Sequence, residues 1–217
     1  VSPAVSPEPR ATATERAYAA TKERILDGRF AGGELISEGD VAELVGLSRT
    51  PVREAFLRLE AEGLLRLYPK RGALVVPVSP GEVEDVIETR LLVERHAVER
   101  IGTASAALVM ALEAEIAAQE RLAAAGDARG FVDSDRRFHR LLVEATGNAI
   151  LLALHDSLRD RQSRMGLTAL SADGDRTGGI VAEHRALVTA LAAGDAEAGA
   201  LLAGHLERTR ALLHARR

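Results

Sequence analysis

Four side chains, far apart in a chain of 217 residues, share a placement that invites metal chemistry. In FVDSDRRFHRLL, Phe131, Phe138 and Leu142 mark the apolar stripe of a helix. Asp135 stands four residues after Phe131 and His139 four after Asp135, so a carboxylate and an imidazole share the face that must be buried. A bare carboxylate is costly to bury, so Asp135 needs a cation or strong donors. Two more histidines have the same placement: His184 with Ile180, Leu187 and Leu191, and His205 with Leu201 and Leu212. One carboxylate and three imidazoles on three helices can meet in a bundle core. Such a set suits a divalent ion, Zn first, with Ni, Mn or Fe as alternatives, and leaves positions for water or a ligand. Pattern alone does not single these residues out. His155 lies on an equally apolar stripe with Leu151 and Leu158, and a lone inward histidine is more often a hydrogen-bonded core residue. His96 is ambiguous, and His214 reads as exposed.

A second cluster is basic. In LSRTPVREAFLRLEAEGLL, from Leu47 to Leu65, Arg49 and Arg53 sit four apart at the start of a helix. At about 100° per residue, Val52, Phe56 and Leu59 form its buried stripe with Ala55 beside it. Arg49, Thr50 and Arg53 fall on a neighbouring arc. An arginine at a helix start can reach guanine with two hydrogen bonds, and the N–H groups there can hold a phosphate. The bland alternative is a solvated face, with Arg53 or Arg58 paired to Glu54 or Glu62.

The elements that position these clusters are set by caps and periodicity. Residues 1–10 read as a disordered tail. A helix runs from Thr14 to Gly28, with Ala17, Tyr18, Thr21 and Ile25 as its apolar set. Ser37 caps a short helix that Gly46 ends, and Ser48 caps the next, which Gly63 stops. Leu65 to Val76 reads as two strands around Pro69-Lys70-Arg71-Gly72. Ser79-Pro80-Gly81-Glu82 then opens an all-helical section, with helices near Glu82–Ile101, Ala104–Ala125, Ala128–Thr146, Ala149–Gly166, Thr177–Ala193 and Asp195–Ala215. Ser171 to Gly179 reads as a loop. The expected class is mainly α: a winged helix-turn-helix domain over residues 11–78 and a helical bundle over residues 79–217.

Charge divides the same way. From Arg10 to Val78 there are eleven Lys/Arg against ten Asp/Glu, and from Ser79 onward seventeen against twenty-one. Nucleic-acid contact must therefore come from a local patch in the first section. There is no Cys, which excludes disulfides and thiolate sites, and no apolar stretch approaches the ~20 residues of a membrane span. A cytoplasmic location is the plain expectation.

SEGDVAELVGLSRTPVREAFLRLEAEGLL followed by KRGALVV resembles the DNA-binding domain of GntR-family bacterial transcription regulators. The resemblance covers roughly residues 15–78 and is most specific from Ser48 to Ala55. It implies DNA contacts at Ser48, Arg49, Thr50, Arg53 and the wing Gly72, and Lys70 and Arg71 at the hairpin tip suit phosphate or the minor groove. Gly39 departs from the family, which often has a basic residue there. Residues 82–215 resemble the FadR-type effector domain, called FCD, through DRRFHRLLVEATGN, EHRALVTALAAGDAEA and HLERT. That resemblance implies Asp135, His139, His184 and His205 as metal ligands. The interval from His184 to His205 is one residue shorter than usual.

Together these features lead to the expectation of a ligand-responsive regulator, not an enzyme. A homodimer reads a palindromic double-stranded operator, and a small carboxylate effector bound at the metal releases it as a repressor. The acid would want an arginine, from Arg90, Arg136, Arg161 or Arg164. Arg90, Leu91 and Glu94 are expected near the domain junction. A metal-sensing regulator is the first alternative. A metal-dependent hydrolase is the second, although no further general base lies on a matching stripe.

Overall fold

The computed structural model describes residues 11–172 and 176–215. The expected disordered tail lies outside the described residues. The chain splits into two compact units, Val1–Pro77 and Val78–Arg217.

In the first unit, α1 (Ala13–Leu26) opens with a capping box between Thr12 and Glu15. Ser37 caps α2 (Glu38–Val45) by accepting from the Asp40 N–H, and Gly46 closes it in the left-handed conformation. The helix α3 (Arg49–Ala61) begins at Ser48, but the Ser48 hydroxyl makes no capping bond. The reason is local: the third residue of α3 is Pro51, which has no N–H to donate. Val52, Ala55, Phe56 and Leu59 are buried and pack against Ala17, Ile25, Val41, Leu65 and Val75. At the far end of α3, Glu62 accepts from Tyr18 and Lys22, tying α1 to α3. Burial alone would raise its carboxyl; the bonds from Lys22 and Tyr18 more than offset that and leave it below its ordinary value.

The wing differs from expectation by one strand. Between α1 and α2 lies β1 (Leu35–Ile36), and β2 (Leu65–Tyr68) and β3 (Gly72–Val75) form the hairpin. The sheet order is β1-β3-β2, all antiparallel, with Ile36 opposite Ala73 and Tyr68 opposite Gly72. At the tip, Arg71 N–H donates to the Tyr68 carbonyl at 3.0 Å, and Lys70 takes a positive φ of 64°. Gly72 has a reason beyond the tip. Its φ is +100°, and a Cβ there would stand 2.3 Å from the Ile36 carbonyl oxygen. Glycine is what lets β1 close on β3. Gly72→Ala should destabilise the winged domain by about 1–3 kcal/mol or displace β1, read as a lower melting transition of that domain. An unchanged melt would mean β1 contributes nothing to the wing.

In the second unit, Ser79 caps α4 (Pro80–Ile101), and α5 (Ala106–Ala124) and α6 (Ala128–Glu144) come next. The expected helix Ala149–Gly166 is two helices, α7 (Ala149–Ser157) and α8 (Arg159–Ala172), broken at Leu158. The expected loop from Ser171 to Gly179 shrinks, because α9 (Arg176–Ala193) begins at Arg176; residues 173–175 lie outside the described residues. The helix α10 (Ala198–His214) starts three residues later than expected, after a turn in which Asp195 accepts from the Glu197 N–H. The core gathers Leu112, Phe131, Phe138, Leu142, Leu187, Leu191, Leu202 and Leu206.

Candidate metal centre and nucleic-acid interface

Three helices converge on one point in the second unit. Asp135 and His139 come from α6, His184 from α9 and His205 from α10. Their ligand atoms all lie within 4.8 Å of one another. His139 Nε2 is 3.2 Å from His205 Nε2, and Asp135 Oδ1 is 3.6 Å from His184 Nε2 and 3.9 Å from His139 Nε2. His205 is in the cluster despite the short interval from His184. His155 is buried too, but it stands behind the cluster with Nε2 3.2 Å from Glu94 Oε1.

Each imidazole is turned by an acceptor at its other nitrogen. His139 Nδ1 lies 2.7 Å from Glu94, His184 Nδ1 2.9 Å from Gln119 Oε1, and His205 Nδ1 2.6 Å from Glu183. The hydrogen-bond acceptors of His184 and His205 assign their protons to Nδ1 and aim those two Nε2 lone pairs inward, while Glu94 meets His139 Nδ1 as an ion-pair contact. His184 is also stacked on Phe138, with centroids 3.9 Å apart. Burial, and then the other two imidazoles, hold His184 well below its ordinary value. Burial lowers His205 as well, and the bond to Glu183 only partly offsets it. Neutral rings are what a metal needs.

The second rank is charged. Glu94 has no exposed surface, and burial alone would raise it. The charges and bonds of Arg90, His139 and His155 win and hold it well below its ordinary value. Arg90 Nε donates to Glu94 at 2.6 Å, and Arg176 grips Glu183 with two bonds of 2.8 and 3.0 Å. Two inward atoms, Asp135 Oδ1 and His184 Nε2, have no hydrogen-bond partner among the described residues. A set of one carboxylate and three imidazoles, with two orphaned atoms facing its centre, fits a divalent cation.

Beside the cluster lies a cavity of about 520 Å³, counted out to the solvent at its mouth. Asp135 and His205 reach its wall, with Arg90, Arg136 and Arg176 around it and Phe131 and Ile180 as apolar surface. The expectation for Arg161 is corrected: it is not in the lining, and its half-exposed guanidinium stands 3.5 Å from Glu82. Arg164 also bonds Glu82, at 2.7 Å. The helix phase of α8 turns both toward α4. Sequence reasoning missed Arg176, because it sits inside a segment that reads as loop. It also missed Gln119 and Glu183, and it named Glu94 only as a residue near the domain junction, although Arg90 and Glu94 at i,i+4 and Glu183 beside His184 were faint signals.

In the first unit, Ser48, Arg49, Thr50, Arg53, Lys70 and Arg71 are exposed, and Gly72 is partly covered. Arg53 pairs with neither Glu54 nor Glu62. Its Nε and Nη2 grip the two oxygens of Glu38 at 2.8 and 3.0 Å. Arg49 leans on the start of α2, where a Cβ at Gly39 would stand 3.3 Å from its Nη2. The missing side chain at position 39 is space that the Arg49 guanidinium borders.

Residues 13–75 match the family described as bacterial regulatory proteins, gntR family, and residues 85–208 match the FCD domain. An HTH-type transcriptional regulator of Agrobacterium vitis is 37% identical over 58% of this chain and 77% of its own length. The galactonate operon transcriptional repressor of Escherichia coli K12 is 26% identical over 85% of this chain and 89% of its own. The solved structure of a GntR transcriptional regulator from Rhodococcus sp. RHA1 superposes with a TM-score of 0.76 at 25% identity, over 94% of this chain and 98% of that one.

Proposed function

Because the chain belongs to the GntR family of bacterial regulatory proteins, carries an FCD domain and is thus a transcription regulator, we propose a repressor released by a small acid held at a metal site. The observation that carries the reading is the convergence of Asp135, His139, His184 and His205, each ring backed by its own acceptor. Relatives that are operon repressors, the one for galactonate among them, support the sense of regulation.

On the DNA side, Arg53 reads a base edge and Glu38 holds its fork in place beforehand. The Ser48 hydroxyl, not used for capping, and the first N–H groups of α3 take a phosphate, with Thr50 and Arg49 beside them. Lys70 and Arg71 on the wing add backbone contacts, and Gly72 keeps the wing folded. One such domain binds modestly, so a homodimer reads a palindrome. No helix among the described residues is long and apolar enough to cross a membrane, and we read the protein as cytoplasmic.

In the helical domain, Asp135 and the three histidines would hold a divalent ion, Zn before Ni, Mn or Fe. The ion would supply Lewis-acid positions for a carboxylate. Gln119 and Glu183 fix the Nδ1–H tautomer of His184 and His205, and Glu94 stands against His139, so the ligand rings are held in place. Arg90, Arg136 and Arg176 favour an anion in the cavity. Arg90 and Glu94 sit one turn apart on α4, so an acid that engages Arg90 competes with Glu94 and biases that helix.

Operator binding by the intact protein, measured metal-stripped and zinc-loaded, each with and without a panel of carboxylic acids, tests this. We expect an acid to weaken operator binding by tenfold or more only when zinc is present. Release by zinc alone would make the ion the signal. Identical affinities in all four states would remove the helical site from regulation.

A further inference from the structure

The cavity wall carries donors that find no acceptor among the described residues. Two of its three arginines have dedicated carboxylates: Arg90 has Glu94, and Arg176 has Glu183. Arg136 does not. Its nearest carboxylate is Asp133, at 3.7 Å, and Asp133 already accepts from Arg129 at 3.1 Å. The buried Nε of Arg136 has no hydrogen-bond partner among the described residues. On α8, which supplies none of the four metal ligands, Gln162 also lines the cavity. It is 7% exposed, and its Nε2 is buried without a partner among the described residues. Buried donors are almost always satisfied, so each of these points to a missing acceptor.

The two acceptors must differ. A guanidinium fork that lacks its own carboxylate selects a carboxylate, which can take two parallel bonds. A neutral amide N–H selects a neutral oxygen, a hydroxyl or a carbonyl, because it adds no charge to balance a second anion. A third demand comes from the metal ligands at the same wall, where Asp135 and His205 reach the cavity. Phe131 and Ile180 supply the apolar remainder of the wall. A simple monocarboxylate placed at the ion leaves Arg136 and Gln162 unanswered, and an amine would meet the guanidinium of Arg136, which has no carboxylate of its own among the described residues.

Resting on the effector-site reading above, we propose that the cavity selects a short hydroxy-dicarboxylate. One carboxylate lies at the metal ligands, the second on Arg136, and the hydroxyl oxygen accepts from Gln162. Arg136 and Gln162 are then the residues that set specificity, while the metal ligands set only the requirement for an acid. An orphaned buried polar group penalises the ligand that lacks its partner far more than an added contact rewards the one that has it.

Calorimetry on the full-length, zinc-loaded protein tests this with matched acids. Malate and 3-hydroxybutyrate differ by one carboxylate in place of a methyl, as do tartronate and lactate; succinate is malate without the hydroxyl. In the tighter-binding pair the diacid should exceed its monoacid by roughly tenfold or more, and malate should exceed succinate several-fold. Arg136→Leu should abolish the diacid preference. Gln162→Leu should abolish the preference for malate over succinate and keep the diacid preference. Circular dichroism melts check that both variants fold, with Arg136→Gln and Gln162→Met as replacements where they do not. Monoacids that bind as tightly as their diacids would overturn the proposal while leaving the effector site intact. So would preferences that survive both substitutions. If no acid in the panel, and neither gluconate nor acetate, binds zinc-loaded protein, the effector-site reading itself falls.

Discussion

Arg53→Ala is expected to lower affinity for the specific operator by roughly 10- to 100-fold while changing binding to random DNA by only a small factor. The expectation rests on the place of Arg53 on α3. Its side chain is 68% exposed and leaves the helix beside the buried stripe of Val52, Phe56 and Leu59. The two bonds to Glu38 orient the guanidinium without covering it. A base-reading arginine contributes discrimination between sequences, whereas a phosphate-binding lysine contributes equally on all of them. Lys70→Ala should therefore weaken both DNAs alike and reduce the salt slope by about one. Glu38→Gln should fall between the two, because Arg53 keeps its charge and loses its fixed orientation. Fluorescence anisotropy with operator and scrambled duplexes at two salt concentrations separates the cases. Equal losses on both duplexes for Arg53→Ala would mean that it reads no base.

His139→Ala is expected to take bound metal from near one ion per chain to near none, measured by elemental analysis after dialysis. His139 is wholly buried and central: its Nε2 lies near both His205 and Asp135. Its loss also removes a partner from Glu94, which has no exposed surface and must then rely on Arg90 and His155. Altering a group that merely orients a metal ligand typically costs about 10- to 100-fold in metal affinity, so deleting a ligand should cost more. His155→Ala is the control. His155 is as buried as His139 and bonds the same carboxylate, yet its ring lies outside the cluster. Its removal should loosen the helical domain without emptying the site. Equal metal content in His139→Ala and unmodified protein would take His139 out of the centre.

How much of the fold and the site was legible in the chain depends on whether the signal was local. Caps and stops lie within four residues of their helices, which is why Ser37, Gly46 and Ser79 marked element ends that the structure has. The Ser48 exception was local as well: Pro51 removes the N–H that the hydroxyl would have capped. By contrast, β1 is two residues long and too short to alternate, and it exists only because β3, some forty residues later, pairs with it. The break at Leu158 has no Gly or Pro to announce it. Only packing against other helices ends α7 and starts α8.

On α10 the expected Leu201 is exposed, and Leu202 and Leu206 are buried with His205 instead. The order of helices and hairpin, the inward faces of α6 and α9 and the basic start of α3 are properties of short windows, where periodicity and capping act. These the amino-acid string determined by itself. Four inward histidines in the helical section had the same local signature, and nothing in their own neighbourhoods separated His155 from the other three. Helix packing decided that His155 would back Glu94 while His139, His184 and His205 turned toward Asp135. It also decided that Arg176, not Arg161, would reach the cavity. The physical reason is that a period of 3.6 residues defines which face of a helix is buried, whereas the partner met on that face is set by elements 22 to 66 residues away.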